Sequence, residues 1–187
     1  MRSERIDFTG HSGDKLAARL DLPDREPRAA VLFAHCFTCS KDIAAARRIA
    51  QRLASLGLAV LRFDFTGLGH SQGEFANTHF SSNVEDLIRA AAYLDDRGLP
   101  PRILIGHSLG GAAVLAAAGR IASAKAVVTI GAPADPGHVT HLFSGSLAEI
   151  DAKGEAEVAL GGRPFTIKRS FLEDVAATKL DESIGRL

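Results

Sequence analysis

Hydrophobic residues recur along this chain at two spacings, every second residue or about every 3.6 residues, and the switches between them mark out its elements. Residues 4–9 alternate through Ile6 and Phe8, and residues 15–22 alternate through Leu16, Ala18, Leu20 and Leu22. The turn-forming stretch 10–14 lies between them, so the two runs predict a hairpin. Residues 29–34 (Ala-Ala-Val-Leu-Phe-Ala) are apolar without interruption, as a strand covered on both faces should be. Ser40 then offers an N-cap and Asp42 a first-turn acid. Ile43, Ile49, Ala50, Leu53 and Leu56 form a helical stripe that ends at Gly57.

The same alternation continues. Residues 58–63 read as a buried strand, followed by a glycine-rich loop over 64–73. Ser82-Asn83-Val84-Glu85 has the form of a capping box, opening a helix with Val84, Leu87, Ile88, Ala91 and Leu94 on one face. Gly98 and Pro100-Pro101 stop that helix. A strand over 102–105, a helix of small residues over 109–118 and a strand over 126–130 follow. Strands and helices in this order predict an α/β fold: a mostly parallel six-stranded sheet with helices on both faces.

After Pro133 the rhythm changes. Residues 134–153 read as a loop and a helix, and 157–160 with 164–168 flank Gly161-Gly162 as a hairpin. Together they predict a small helix–hairpin cap over about 134–169. A last helix from about Ser170 carries Leu172, Ala176, Leu180 and Ile184 at i+4 spacing. No internal repeat or linker interrupts the chain, so residues 1–187 are expected to form one domain.

Composition narrows the function classes. The chain is 46% hydrophobic and 24% charged, enough for a packed core and unlike a disordered segment. Lys plus Arg equals Asp plus Glu at 22 each, so the basic footprint of a nucleic-acid binder is missing. The first seven residues contain no apolar signal region. The most apolar stretch, 103–118, is too short to span a bilayer and is broken by His107, Ser108 and glycines. No membrane contact is expected, and the location expected is cytoplasmic.

No phosphate-binding G-x-x-x-x-G-K-[ST] occurs, and Gly67-x-Gly69 neither opens a helix nor has a third glycine at dinucleotide spacing. No cofactor is expected. Neither is a metal, because the one suggestive cluster, Asp135 with His138 and His141, has no cysteine or further acid beside it.

The chemistry concentrates at Gly106-His107-Ser108-Leu109-Gly110, a G-x-S-x-G between a predicted strand and a predicted helix. A sharp strand-to-helix turn raises a serine oxygen clear of the sheet, and its flanking positions need glycine because the backbone is crowded there. The helix N-terminus supplies free N–H groups where an oxyanion would form. A second copy, Gly69-His70-Ser71-Gln72-Gly73, follows a loop and opens no helix, so context selects Ser108 as the nucleophile.

These features resemble the α/β-hydrolase family, in particular its serine esterases and lipases. His35-Cys36-Phe37 closes the third strand where such enzymes carry a His-Gly-x loop. Residues 64–71 match the family's D-x-x-G-x-G-x-S loop, and the leading hairpin matches its first two strands. The resemblance implies a strand order 1-2-4-3-5-6, oxyanion donors at the Phe37 and Leu109 N–H groups, and hydrolysis of a small-molecule acyl ester through Ser108. More narrowly, residues 35–42 (His-Cys-Phe-Thr-Cys-Ser-Lys-Asp) are similar to a hydrolase module that some bacterial proteins fuse to an OsmC-type domain; the OsmC portion is absent here.

A serine nucleophile needs a base and an orienting acid. The family usually takes the acid after its seventh strand and the histidine after its eighth, whereas this pattern supplies six strands. The candidates within the chain follow the sixth: Asp135 as acid, as in some lipases, and His138 or His141 as base. His35 is expected to prop the oxyanion loop and His107 to be scaffold. His11, His70 and His79 are expected to be solvated.

Two other readings come from different classes. One is a hydrolase-shaped binding or assembly module without turnover. The other is a thiol redox protein using Cys36-Phe37-Thr38-Cys39, a C-x-x-C between a strand and a helix. Buried, inert thiols are the simpler expectation for the pair. The strand at 126–130 would leave an apolar sheet edge open, which predicts a homo-oligomer.

Overall fold

The structure is a computed structural model and describes residues 1–187. Six strands form one sheet: β1 Arg2–Thr9, β2 Lys15–Leu22, β3 Ala29–Ala34, β4 Leu58–Phe63, β5 Pro101–His107 and β6 Ala126–Ile130. Their order is β1-β2-β4-β3-β5-β6, as the family resemblance implied. β1 and β2 join antiparallel to β4, and β4, β3, β5 and β6 are mutually parallel.

Side-chain alternation on β3 explains its unbroken apolar sequence. Val31 and Phe33 pack on one face with Val60, Ile105 and the alanines Ala46 and Ala50 of helix α1, Ala44–Ser55. Leu32 and Ala34 point to the other face, against helices α2, Phe80–Asp96, and α3, Leu109–Ala118. A central strand with helices on both sides has no polar face to present.

Two helix starts differ from the predicted ones. α1 begins at Ala44 rather than at Ser40, because residues 40–43 are tied down locally. Ser40 Oγ accepts the Asp42 N–H at 3.3 Å, and the Lys41 N–H is taken by Asp64 at 2.6 Å. α2 begins two residues before the predicted box. Ser82 Oγ accepts the N–H of the N-cap residue His79 at 2.8 Å, and Glu85 turns outward to Arg120.

Beyond β6 a 3-10 segment, Pro136–Ser146, runs into α4, Leu147–Lys153, and a separate hairpin of β7, Glu155–Leu160, and β8, Arg163–Lys168. Ala156, Val158 and Leu160 face inward from β7. The predicted last helix is two: α5, Arg169–Ala177, and α6, Leu180–Ile184, separated by the extended Thr178. The break shifts the buried stripe to Phe171, Val175 and Leu180, leaving Ala176 and Ile184 outside. α5 is fastened to the start of α2: Asp174 accepts the Ser81 N–H at 2.9 Å and the Ser81 hydroxyl at 2.5 Å, and His79 Nε2 meets Ser170 Oγ at 3.0 Å. No helix is long and apolar enough to cross a membrane.

Candidate active site

Ser108 occupies the turn between β5 and α3 with φ 54° and ψ −126°, one of two non-glycine residues at positive φ. Such a conformation costs about 1–3 kcal/mol and persists only where the surroundings fix it. They do so here. The Ser108 N–H donates to the Ile130 carbonyl at the end of β6 at 2.9 Å, and its own carbonyl accepts the Gly111 N–H at 2.8 Å.

The surrounding glycines are required by contact. A Cβ at Gly106 would lie 2.3 Å from the Gly110 carbonyl, and one at Gly110 would lie 2.2 Å from the His35 carbonyl. A Cβ at Gly111 would meet Ala132 at 2.6 Å. α3 can therefore approach the ends of β3 and β5 closely only without side chains at these places. The second motif copy does structural work instead: Ser71 Oγ donates to the Asp64 carbonyl at 2.5 Å and accepts the Ala17 N–H at 2.9 Å.

The loop after β3 faces the same turn. Phe37 and Leu109 together line a small, mostly apolar depression with Phe65, Leu68, Phe75 and Ala113. Neither the Phe37 nor the Leu109 N–H is taken by a carbonyl of the surrounding loops. The Phe37 ring stacks on Phe171 of α5 at 5.5 Å and packs against Phe75 at 5.7 Å. Thr38 is the other non-glycine residue at positive φ, 58°, and its carbonyl accepts a hydrogen bond from the Arg163 guanidinium on β8.

His35 supports this loop from beneath. It is buried; its Nδ1–H donates to the Cys36 carbonyl at 2.8 Å, and its Nε2 accepts the Phe65 N–H at 3.4 Å. Acceptance at Nε2 needs the neutral ring, and burial, outweighing the bond to the Cys36 carbonyl, holds its pKa below the ordinary histidine value. The cysteines depart from the sequence expectation of free, inert thiols. Cys36 and Cys39 are joined by a disulfide, with Cα atoms 5.3 Å apart. Because α1 starts only at Ala44, Cys39 is also not at a helix N-terminus.

Behind the loop lies a buried ionic cluster that the sequence reading did not assemble. Asp64 is fully buried and accepts the Lys41 ammonium at 2.8 Å, the Lys41 N–H at 2.6 Å and the His70 N–H at 2.9 Å. Arg62 bridges Asp21 at 2.8 Å and Asp42 at 2.9 Å. Burial pushes the Asp42 carboxyl up, but hydrogen bonds from Lys41 and Arg62 outweigh it and hold the pKa below the usual range. Gly69 must be glycine here, since a Cβ would lie 2.2 Å from the Asp64 carboxylate. The D-x-x-G-x-G-x-S pattern was the one sequence signal for this cluster.

The remaining histidines scatter. His11, expected in solvent, is half-buried with Nδ1 2.8 Å from the fully buried Asp86, which also accepts the Thr66 hydroxyl at 2.7 Å. His79 is likewise engaged, as the N-cap of α2. His70 is largely exposed, with Nδ1 3.3 Å from the Lys41 ammonium. His107 Nδ1 is buried without a partner.

Asp135, His138 and His141 lie on the exposed 3-10 segment after β6, lining an open groove against α5 and α6. Asp135 Oδ1 accepts the Gly137 N–H at 2.8 Å, as an N-cap does, and the His138 and His141 rings are 4.9 Å apart. Asp135 is thus bonded to the backbone of its own turn, and the two rings pair with each other. The structure brings Ser108, Phe37 and Leu109 to one end of the sheet, and no imidazole is hydrogen-bonded to the Ser108 hydroxyl. No group of three or more His, Cys, Asp or Glu side chains is arranged to hold a metal ion.

Comparison with known proteins gives this arrangement a context. Residues 25–153 match the family described as serine aminopeptidase, S33. A monoacylglycerol lipase of Mycolicibacterium smegmatis is 33% identical over 141 residues, which are 73% of this chain and 49% of that protein. The mitochondrial palmitoyl-protein thioesterase ABHD10 of Rattus norvegicus is 35% identical over 130 residues, 65% of this chain and 42% of its own length. The chain thus spans about half the length of these curated relatives. Among solved structures, the esterase domain of a Rhodothermus marinus protein is 48% identical, with a TM-score of 0.72, covering 98% of this chain and 71% of that one.

Proposed function

The chain belongs to the S33 serine aminopeptidase-like family of α/β hydrolases, and on that premise we propose that it hydrolyses carboxylic esters through an acyl-enzyme on Ser108. The observation that carries this reading is the Ser108 backbone. A positive φ at a non-glycine residue is costly, and here it is held by the Ile130 carbonyl amid three glycines that a Cβ would crowd. It presents a hydroxyl at the C-terminal end of the sheet, where open α/β folds bind ligands.

In the proposed reaction Ser108 Oγ attacks the acyl carbonyl carbon as its proton passes to a base. The carbonyl oxygen gains charge and is held by the free Phe37 and Leu109 N–H groups. The tetrahedral intermediate then collapses, expelling the alcohol, and water releases the acid in a second cycle. Within the chain the candidate base is His138 or His141 and the candidate acid is Asp135. Binding either imidazole to Ser108 requires the 3-10 segment to rearrange from the observed exposed position.

The apolar depression beside the two N–H groups suits a hydrocarbon acyl chain, and two relatives bear names that specify an acylglycerol and a palmitoyl thioester. An apolar acyl group on oxygen or sulfur is therefore the proposed substrate class. The proposed location remains cytoplasmic.

One observation favours a second reading, a binding module without turnover: no imidazole is bonded to Ser108. Hydrolysis of nitrophenyl butyrate separates the two. Turnover that drops by about 10³-fold or more in Ser108→Ala, with the fold intact by circular dichroism, is the expected result. Equal rates for both proteins would leave the binding module standing.

A further inference from the structure

We propose that the Cys36–Cys39 disulfide is a redox modification site: a reducible clamp that holds the proposed oxyanion loop, opened by a dithiol reductant. The influence on turnover rests on the hydrolase reading above; the clamp itself does not. Both cysteines are partly accessible, and they enclose only Phe37 and Thr38. Phe37 carries one of the two free N–H groups, and Thr38 sits at φ 58°, where a β-branched residue is strongly disfavoured. The covalent bridge spans this unfavourable residue and closes the turn in which the Cys39 N–H donates to the Cys36 carbonyl at 3.1 Å.

The other restraints on the loop are non-covalent, among them the packing of the Phe37 ring on Phe171 and Phe75. His35 Nδ1 reaches the Cys36 carbonyl, and Arg163, an exposed residue, reaches the Thr38 carbonyl. Once the bridge is cut, Thr38 can relax to negative φ, and the Phe37 N–H turns with the peptide plane. The placement argues against a thioredoxin-like catalyst. Such a pair uses a helix N-terminus to lower a thiol pKa, whereas four residues separate Cys39 from Ala44, the first residue of α1. Lys41, the nearest cation in sequence, is bound to Asp42 and Asp64. The pair is arranged to be acted upon.

The chemistry is ordinary thiol–disulfide exchange. One thiolate of the dithiol attacks a bridge sulfur, breaking the S–S bond and forming a mixed disulfide. The second thiolate displaces that sulfur. Two electrons and two protons pass to the protein, leaving two free thiols and one oxidised dithiol.

The test equilibrates the full chain in buffers of graded reduced and oxidised dithiothreitol. Three quantities are read: alkylation by iodoacetamide counted by mass, amide hydrogen exchange over residues 36–40, and hydrolysis of nitrophenyl butyrate. The expected result is zero alkylated cysteines when oxidised and two when reduced, reversibly. Exchange over 36–40 should accelerate and the rate should fall about 10-fold or more with the same midpoint, approaching the 10²–10³ range of a lost oxyanion donor. Cys36→Ser/Cys39→Ser should behave as the reduced protein and ignore the buffer. Alkylation of both cysteines in the oxidised protein, or reduction without a change in exchange, overturns the proposal. If exchange responds but a measurable rate does not, the regulatory role is overturned. If no ester is turned over in any state, the hydrolase reading fails alone, and thiol count and exchange still decide the clamp.

Discussion

At the scale of single residues, the glycines of the Ser108 turn differ sharply from those elsewhere. Gly110 faces the His35 carbonyl, a backbone atom that cannot swing aside, whereas a Cβ at Gly119 would meet nothing within 4 Å. Gly119 also has helical φ and ψ, −65° and −14°. Gly110→Ala should therefore lower stability by about 3 kcal/mol, the upper range for overpacking. Gly119→Ala should raise it by about 0.5 kcal/mol by restricting the unfolded chain. Urea denaturation of the two variants checks both signs; a tolerated Gly110→Ala would refute the close approach of α3 to β3. The G-x-S-x-G spacing made Gly106 and Gly110 visible in sequence. Gly69 was visible as part of the D-x-x-G-x-G-x-S loop, but Gly111 was not, because its need comes from Ala132, a residue remote in the chain.

At the scale of elements, the segment between β3 and α1 depends on a buried neutral imidazole. Burial lowers the His35 pKa in the folded protein, so below the unfolded value of about 6.5 the unfolded chain binds the proton and the folded one does not. Stability from this group is thus full above about pH 6.5 and is lost as pH falls below it, by at most about 1.4 kcal/mol per pH unit. Urea midpoints measured from pH 7.5 to 5.5 should fall for the wild type and fall less steeply for His35→Gln. Parallel slopes would assign the loss to other groups.

Most elements were readable from periodicity, since β3, β4 and β6 have the predicted bounds and the strand order followed from resemblance. The start of α1, the start of α2 and the α5–α6 break were not. Each is set by a side chain bonding backbone nearby, as Ser40, Ser82 and Thr178 do, and hydrophobic spacing does not register such bonds. The loop's supports were legible only in part: His35 was, through its place in the motif, but the disulfide and the Lys41–Asp64 pair needed coordinates.

For the whole molecule, the consequential feature is the outer edge of β6. The strand pairs with β5 alone and presents Val128 and Ile130, 44% and 38% exposed, at a border with no covering element. An unpaired apolar strand is a template for another strand, and natural proteins seldom leave one bare. The edge is also coupled to the chemistry, since the Ile130 carbonyl holds the Ser108 N–H. Self-association through β6 is therefore expected, and it should stiffen the Ser108 turn as well as cover the apolar side chains. Sedimentation at about 10–100 μM, the range over which many weak protein contacts are populated, should show a species of twice the chain mass. Val128→Lys, which places a charge on the strand, should restore the monomer while leaving the fold unchanged. A wild-type chain that stays monomeric across the whole range would show that this edge is tolerated bare, and the homo-oligomer would have to be abandoned.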